Sequence, residues 1–469
     1  MNDFKTAFVA YSSTSKALAD MVLGAVRHAN SRSSAVRYEP WEFNDIAGQP
    51  LTSPILERIQ ESSFIVADIT YLNLNVVYEI GFAIGSRKRL FLVRHQHTAG
   101  DRDIASQAGI FDTLGYVEYA DVDGLTHRLS NYIDSTPLAF SAEPDIKTPV
   151  YVVEPPQKGE IATVMISRLK KARYRYRSFN PSEDSRLSAT DAIRQVARSA
   201  GILTALFATE SWSHIHNVRS LFVAGLADGM GKPTLILTGT DYDAPLDVRD
   251  EVKVYKTVDD IVGLIADFVP AVADYLQQVD PVQVQLSTPL QTLVMGDPTA
   301  ENEMTTLANY YLPIYEYGRT LQGSVNLIVG RKGSGKTALF IQVRDKIRSD
   351  KRNIVVDLKP EGYQLLKLKE DILLHLAEGS RQHLITAFWE YLLLLEVAYK
   401  LLEKDRNTFR YNHEIHDLYL ELEAAYKSEH ISVEGDFSER LLVLSQRIST
   451  QYKNKYGNSS SDRLTTDEV

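Results

Sequence analysis

The chain has 469 residues, 44% of them hydrophobic and 24% charged, with a formal net charge of −10. That length exceeds one ordinary domain, and the acidic balance argues against bulk attraction to nucleic acid or anionic membranes. The absence of cysteine excludes disulfides, Cys metal centres and thiol nucleophiles; a cytoplasmic location is expected.

The start, "MNDFKTAFVAYSS", lacks a basic stretch followed by a long apolar core, so it does not read as a secretory signal. Strand and helix signals then alternate over residues 4–136. "TAFVAYS" reads as a buried strand, "SKALADMVLGAVRHAN" as a helix and "VRYEPWEF" as a strand. "LTSPILERIQES" is helical, "FIVADIT" a strand, "NVVYEIGFAIGS" a helix and "RLFLV" a strand. This βαβα order implies a parallel sheet covered on both faces.

The pattern then repeats. "PVYVVEP", "YRYRSF", "ILTALFATE" and "PTLILT" read as strands, separated by "GEIATVMISRLKKA", "ATDAIRQVARSA" and "VRSLFVAGLADGMG" as helices. An offset of about 144 residues (225 minus 81) lays "GFAIGSRKRLFLV" over "GLADGMGKPTLIL". It also sets Glu79 opposite Val223, so one copy carries a carboxylate that the other lacks. The helix "TVDDIVGLIADFVPAVADYLQQV" closes the second copy. The expected division is 1–140, 146–280, a proline-containing linker over 281–300, a third region over 301–456 and a disordered tail over 457–469. In that third region "AFWEYLLLLEVAYKLLEK", with its Glu and Lys residues, is short for a membrane span and reads as a packed core helix.

In open parallel sheets, ligands collect at the carboxyl ends of strands near a switch in strand order. Three loops qualify: Tyr11-Ser12-Ser13, the stretch around Trp41, Phe43 and Asn44, and Asp68-Ile69-Thr70 running on to Asn75 and Glu79. Glu79 falls in the first turns of its helix, where the dipole favours an anion. An ionised carboxylate facing a cleft can stabilise or attack an oxocarbenium-like centre, which is glycosidic chemistry. The alternative is a structural carboxylate paired with Arg87 or Arg89, and Asp68 can equally be a turn residue after its strand. In "RLKKARYRYR", Arg173, Arg175 and Arg177 share a strand face; they read as a charged edge or, less simply, as phosphate ligands.

"FVAYSS", "WEFNDIAGQPLTSPILERIQESSFIVADIT" and "NLNVVYEIGFAIG" together resemble the TIR-like branch of the Toll/interleukin-1-receptor superfamily and, nearby, the nucleoside deoxyribosyltransferases. The resemblance covers about residues 4–136 and implies two flavodoxin-like, TIR-like parallel-sheet domains, the second degenerate. It implies a catalytic Glu79, with Tyr11, Ser12, Trp41, Asp68 and Asn75 as substrate-binding residues. NAD+ or a related nucleotide is the implied substrate. A deoxyribosyltransferase or nucleotide N-glycosidase, or a non-catalytic signalling scaffold, are the alternatives.

"NLIVGRKGSGKTALFIQVRDKI" satisfies G-x-x-x-x-G-K-T with Gly330, Gly335, Lys336 and Thr337, and Gly333 lies between them. An apolar strand is expected before it and a helix after it. Such a loop surrounds phosphate oxygens with backbone N–H groups; Lys336 would reach the β- and γ-phosphates and Thr337 would ligate magnesium. It resembles the P-loop NTPases, including modules fused to TIR-like domains in prokaryotic anti-phage proteins. That resemblance implies ATP or ADP with Mg2+, a homo-oligomer on activation, and no membrane partner. "NIVVDLKP" comes too soon to supply the acid that hydrolysis needs and reads as the next core strand. The expectation is therefore the front part of a longer protein, or a module that binds nucleotide without turning it over.

Overall fold

The computed structural model describes residues 5–32, 35–41, 52–132, 136–140, 143–157, 159–172, 174–240, 242–278, 300–303, 307–350, 352–358, 378–406, 409, 413–429 and 437–456. The expected linker over 281–300, apart from Ala300, the tail over 457–469, and Phe43, Asn44 and Arg173 lie outside the described residues. The protein is α/β, with two five-stranded parallel sheets among the described residues. It divides into a unit of residues Met1–Pro156 and Tyr174–Gln285 and a unit of Gln157–Arg173 and Leu286–Val469.

In the first unit, one half runs β1 (Lys5–Ala10), α1 (Lys16–Arg32), β2 (Val36–Pro40), α2 (Thr52–Glu61), β3 (Phe64–Asp68), α3 (Leu74–Gly85), β4 (Arg89–His95), α4 (Arg102–Ala108), β5 (Val117–Tyr119) and α5 (Val122–Ser130). Its strands lie in the order β2-β1-β3-β4-β5, all parallel. The chain reverses direction across the sheet between β1 and β3, which makes their carboxyl ends the switch point. The period-2 pattern sorts the core: Phe8, Ala10, Ile65 and Ala67 face one cluster, and Ala7, Val9, Phe64 and Val66 the other, where α1 and α5 cover them.

The other half contributes β6 (Val150–Val153), β7 (Tyr176–Phe179), α7 (Ala189–Ala197), β8 (Gly201–Leu206), α8 (Ser213–Gly229), β9 (Thr234–Thr238), β10 (Val252–Val254) and α9 (Val258–Gln278). The helix between β6 and β7, α6 (Glu160–Lys171), belongs to the second unit. The strand order β10-β9-β8-β6-β7 repeats the connectivity of the first sheet.

Helix α3 lies on β3 and β4, α8 lies on β8 and β9, and the two helices pack against each other. This explains why "NVVYEIGFAIG" is apolar almost all round: every residue from Val76 to Gly85 is buried. The crossing is held by four glycines. A Cβ on Gly81 would lie within 3.0 Å of Phe222 O, and one on Gly225 equally close to Tyr78 O. Gly85 and Gly229 stand in the same relation to Leu226 O and Phe82 O. Each contact maps onto its mate by the offset seen in the sequence, so the surface is isologous, as in a two-fold dimer. One cluster, from Phe8 to Val252, runs through both halves. Burying each large member, such as Phe222, contributes roughly 1.5–3 kcal/mol.

The repeat extends to polar detail. Lys88 Nζ donates to Gln60 O and, at 2.9 Å, to Ser62 O at the end of α2. Lys232 Nζ donates to Val196 O, Ala197 O and Ser199 O at 2.8, 2.7 and 2.5 Å, at the end of α7. Each lysine satisfies carbonyls that a helix terminus leaves open. Arg177 serves the same end: its guanidinium is buried and donates to Gln195 Oε1 at 2.8 Å and Ser199 Oγ at 2.7 Å. It is therefore neither a solvated edge charge nor a phosphate ligand, whereas Arg175 is exposed.

In the second unit, α10 (Tyr315–Leu321) precedes α11 (Lys336–Arg348), and three long helices follow: α12 (Glu378–Asp405), α13 (His413–Ser428) and α14 (Phe437–Tyr456). Phe388, Leu392 and Leu395 of α12 pack on Phe437, Leu441 and Leu444 of α14, as expected of a core helix. The buried Arg440 guanidinium is bonded through Nε and, at 2.7 Å, Nη2 to Glu396, and it lies 4.5 Å over the ring of Tyr399. Helix α6 is joined to α14: Ser167 Oγ donates to Glu439 Oε2 at 2.7 Å, and Arg168 pairs with Oε1 of the same carboxylate.

The strands expected at 326–329 and 353–357 are not formed. Among the described residues neither has a ladder partner, and a lone extended segment leaves its backbone groups to solvent. Leu327 and Val329 are accordingly 78% and 80% exposed. No helix among the described residues is long and apolar enough to cross a membrane.

Candidate functional site

The β3–α3 loop is pinned before the helix begins. Asp68 Oδ1 accepts from Thr70 N at 2.8 Å, and its Oδ2 accepts from the Tyr119 hydroxyl. Thr70 Oγ1 in turn accepts from His95 N at 2.9 Å, and Asp101 Oδ2 accepts from Leu72 N at 2.8 Å. The Asp68 carboxylate is thus spent inside the first half, on the turn. Asn73 caps α3, its Oδ1 accepting from Asn75 N at 2.9 Å.

One turn later, Asn75 and Glu79 share a helix face, as i and i+4 positions do. Asn75 Oδ1 accepts from Asp247 N at 3.2 Å. Asp247 sits in the short 3-10 turn Leu246–Val248 of the second half, which rests on α2 and α3. The turn delivers the Asp247 carboxyl to Glu79, and the two side chains share a hydrogen bond. Glu79 is 4% exposed and Asp247 2%. Glu79 Oε2 and Asp247 Oδ2, both buried, accept a hydrogen bond from no third residue among those described.

Burial pushes the Glu79 carboxyl well above the usual range, and the neighbouring Asp247 pushes it further. Burial raises Asp247 as well, with the bond to Glu79 acting against the rise. Two acids in one dry site do not both ionise cheaply, so the pair holds on to a proton. The expected free carboxylate at Glu79 is corrected accordingly: it is one half of a buried carboxyl pair. Neither Arg87 nor Arg89 is its partner; Arg87 stacks on Phe140 at 4.9 Å.

Of the other expected ligands, Asn75 is brought to Glu79 by the bond just described. Tyr11 and Trp41 lie together at the ends of β1 and β2, ring centroids 6.1 Å apart, and Ser12 Oγ bonds Thr14 Oγ1 at 2.8 Å. Asp247 is the residue that reading the sequence missed. It lies in "TGTDYDAPLDVRDEV", among several acids, and only the packing of the halves singles it out.

The equivalent place in the second half is closed. Val223, fully buried, stands where Glu79 does. Arg219 stands where Asn75 does, and its guanidinium donates to Ala108 O, Gln107 O and Ser185 O at 3.1, 2.5 and 2.6 Å. Asp103, the counterpart of Asp247, is exposed.

In the second unit, the loop 330–337 wraps into the start of α11. Gly333 and Gly335 both have φ +82°, which side-chain-bearing residues rarely adopt, and Gly335 is the N-cap. Lys336 Nζ donates to Gly330 O at 2.9 Å and Arg331 O at 2.8 Å, so the ammonium lies back across the loop. Thr337 is half-buried in the first turn. These residues fit a magnesium-bound triphosphate: open N–H groups at a helix start, one fixed cation and one hydroxyl. Asp357 Oδ2 lies 3.2 Å from Arg344 and its Oδ1 3.1 Å from Arg348, so this acid is ion-paired. A cleft of about 430 Å³ beside α11 is lined by Lys336, Phe340, Val343, Ile347 and Val356. Among the described residues, no cluster of three or more His, Asp or Glu side chains could hold a metal ion.

No protein-family model matches the chain. Over 109 residues, 22% of this chain, it is 28% identical to a protein of Escherichia coli (strain K12) described as "Putative transposon gamma-delta 80.3 kDa protein", and the similarity spans 15% of that protein's length.

Proposed function

We propose that the first α/β half is a TIR-like, flavodoxin-like domain that uses Glu79 to break the N-glycosidic bond of NAD+ or a related nucleotide, under the control of a P-loop that binds ATP or ADP with Mg2+. The observation that carries this reading is the buried carboxyl pair of Glu79 and Asp247, on the helix that begins past the carboxyl end of β3, at the switch point of a parallel sheet. A buried acid in a water-poor site is where positive charge developing on a sugar ring is stabilised most strongly. The leaving nicotinamide takes the bonding electrons and departs neutral, so it needs no proton from the protein.

The degenerate second half serves as a support and not as a second active site, because Val223 and Arg219 close its equivalent position. The resemblance in the TIR-like and P-loop segments supports the rest of the reading: a cytoplasmic anti-phage effector, forming oligomers when activated, in which nucleotide binding at Lys336 and Thr337 gates the assembly that switches on NAD+ cleavage.

The test is incubation of the purified chain with NAD+ and, separately, with deoxynucleosides, followed by chromatography. Nicotinamide release is expected, falling at least about a hundredfold in Glu79→Gln. Base exchange among deoxynucleosides without NAD+ cleavage would move the assignment to a deoxyribosyltransferase. Equal NAD+ turnover by a folded Glu79→Gln protein would overturn it.

A further inference from the structure

The tandem halves place one acid from each side of their interface into a single buried site. We propose that Asp247, supplied by the second half, is the positioning residue and proton partner of Glu79, so that the glycosidic site is complete only when the two halves are packed together. This rests on the function proposed above for Glu79.

Three observations carry it. The first is the anchor: Asn75, on the Glu79 face of α3, takes the Asp247 backbone N–H at 3.2 Å and so fixes the height of the turn along the helix. The second is the bond between the side chains. A hydrogen bond between two carboxyls needs a proton between them, since a carboxylate only accepts. Glu79 Oε2 and Asp247 Oδ2 are both buried and accept from no third residue among those described, so a proton held between the two carboxyls is what satisfies them. The third is asymmetry: at the counterpart positions stand a buried Val223 and an exposed Asp103, so the arrangement is not a by-product of the repeat.

The surroundings add negative rather than positive charge. On α3, Tyr78 donates to Asp228 Oδ2 of α8 at 2.8 Å and also feels Asp247 and Glu251. On α2, Arg58 is directed to Glu39 at 3.6 Å and Glu57 is exposed. On α8, Arg219 is turned to the carbonyls already named. The single proton of the pair therefore has two places to sit, Glu79 or Asp247. When it sits on Asp247, Glu79 presents a carboxylate to the anomeric carbon. The C–N bond breaks and its electron pair leaves with nicotinamide; the carboxylate stabilises or bonds the sugar carbon. Water then supplies its oxygen to that carbon, the Glu79 carboxylate is regenerated and the water proton passes to solvent. Asp247 retains its proton throughout.

The experiment compares wild type, Asp247→Asn and Glu79→Gln, each with circular dichroism matching the wild type. The infrared spectrum at neutral pH is expected to show a protonated carboxyl band in wild type that Asp247→Asn and Glu79→Gln each remove. In the NAD+ assay, Asp247→Asn offers Glu79 a fixed donor in place of a shared proton. Its acid-side fall in kcat is expected at least about one pH unit lower than in wild type, a tenfold change in proton concentration. A superimposable pH profile, or no such band in wild type, overturns the proposal. A band that behaves as expected in a protein that cleaves no NAD+ supports the proton pairing and overturns instead the glycosidic role given to Glu79.

Discussion

Replacing Gly81 by alanine sets two effects of known sign against each other. In a helix interior, Gly→Ala stabilises by about 1 kcal/mol. At this crossing, however, the new Cβ would come within 3.0 Å of Phe222 O, a backbone atom that no rotamer change can move. Overpacking against a fixed neighbour costs about 1–3 kcal/mol, so the net effect is destabilisation by up to about 2 kcal/mol, larger for Gly81→Val. Gly263 is the control: it lies in α9 of the same unit, and a Cβ there meets nothing within 4 Å, so Gly263→Ala should stabilise by about 1 kcal/mol. Gly81 and Gly225 flank the same crossing, so the double alanine variant should cost less than the sum of the singles by at least about 0.5 kcal/mol. Urea unfolding gives the totals, and hydrogen exchange in peptides from α3 and α8 gives the local effect, about tenfold in protection per 1.4 kcal/mol. A Gly81→Ala protein as stabilised as Gly263→Ala would refute the close packing of the halves.

Glu396→Ala leaves the buried Arg440 without its carboxylate and should destabilise the α12–α14 helices by about 3–5 kcal/mol, read as an earlier thermal transition that Glu396→Gln lessens. Burial, with Arg177 nearby, pushes the Lys232 ammonium down to about 7. The unfolded chain then holds one more proton than the native state between about pH 7 and the ordinary lysine value of 10.5, so stability rises with pH across that window. Lys232→Met should flatten the rise, and a wild type–variant difference constant over the window in urea titrations would contradict it. Lys336→Ala should weaken binding of magnesium–ATP at least about tenfold by calorimetry, the loss of one charged hydrogen-bond donor; an unchanged Kd would remove the loop from the proposal.

The central strands are legible in the sequence, and so are the edge strands β2 and β7, read in "VRYEPWEF" and "YRYRSF". "FIVAD" and "VYVV" are continuous apolar runs because both sheet faces are covered. The duplicated order was legible too, since glycines needed at a backbone crossing recur at one offset. Strands β5 and β10, three residues each, give no periodicity to detect. The segment before the glycine-rich loop reads as a strand because "NLIV" is largely apolar, but strand formation is a property of pairs, and no partner is present among the described residues. Arg177 misled because charge on a strand usually means solvent, whereas here the guanidinium reaches the carbonyl end of α7. Asp247 was illegible for a related reason: its meaning depends on Asn75, 172 positions away in the chain.

The reciprocal glycine crossing has a further consequence. In a true homodimer every substitution appears twice, so a site could not lose its acid on one side and keep it on the other. Joining the halves in one chain lifts that restriction, and Val223 and Glu79 show the result. It also takes the carboxyl pair out of mass action: dilution, which separates dimeric partners, leaves the effective concentration of Asp247 at Glu79 unchanged. Self-association of this chain has no part in bringing these two acids together.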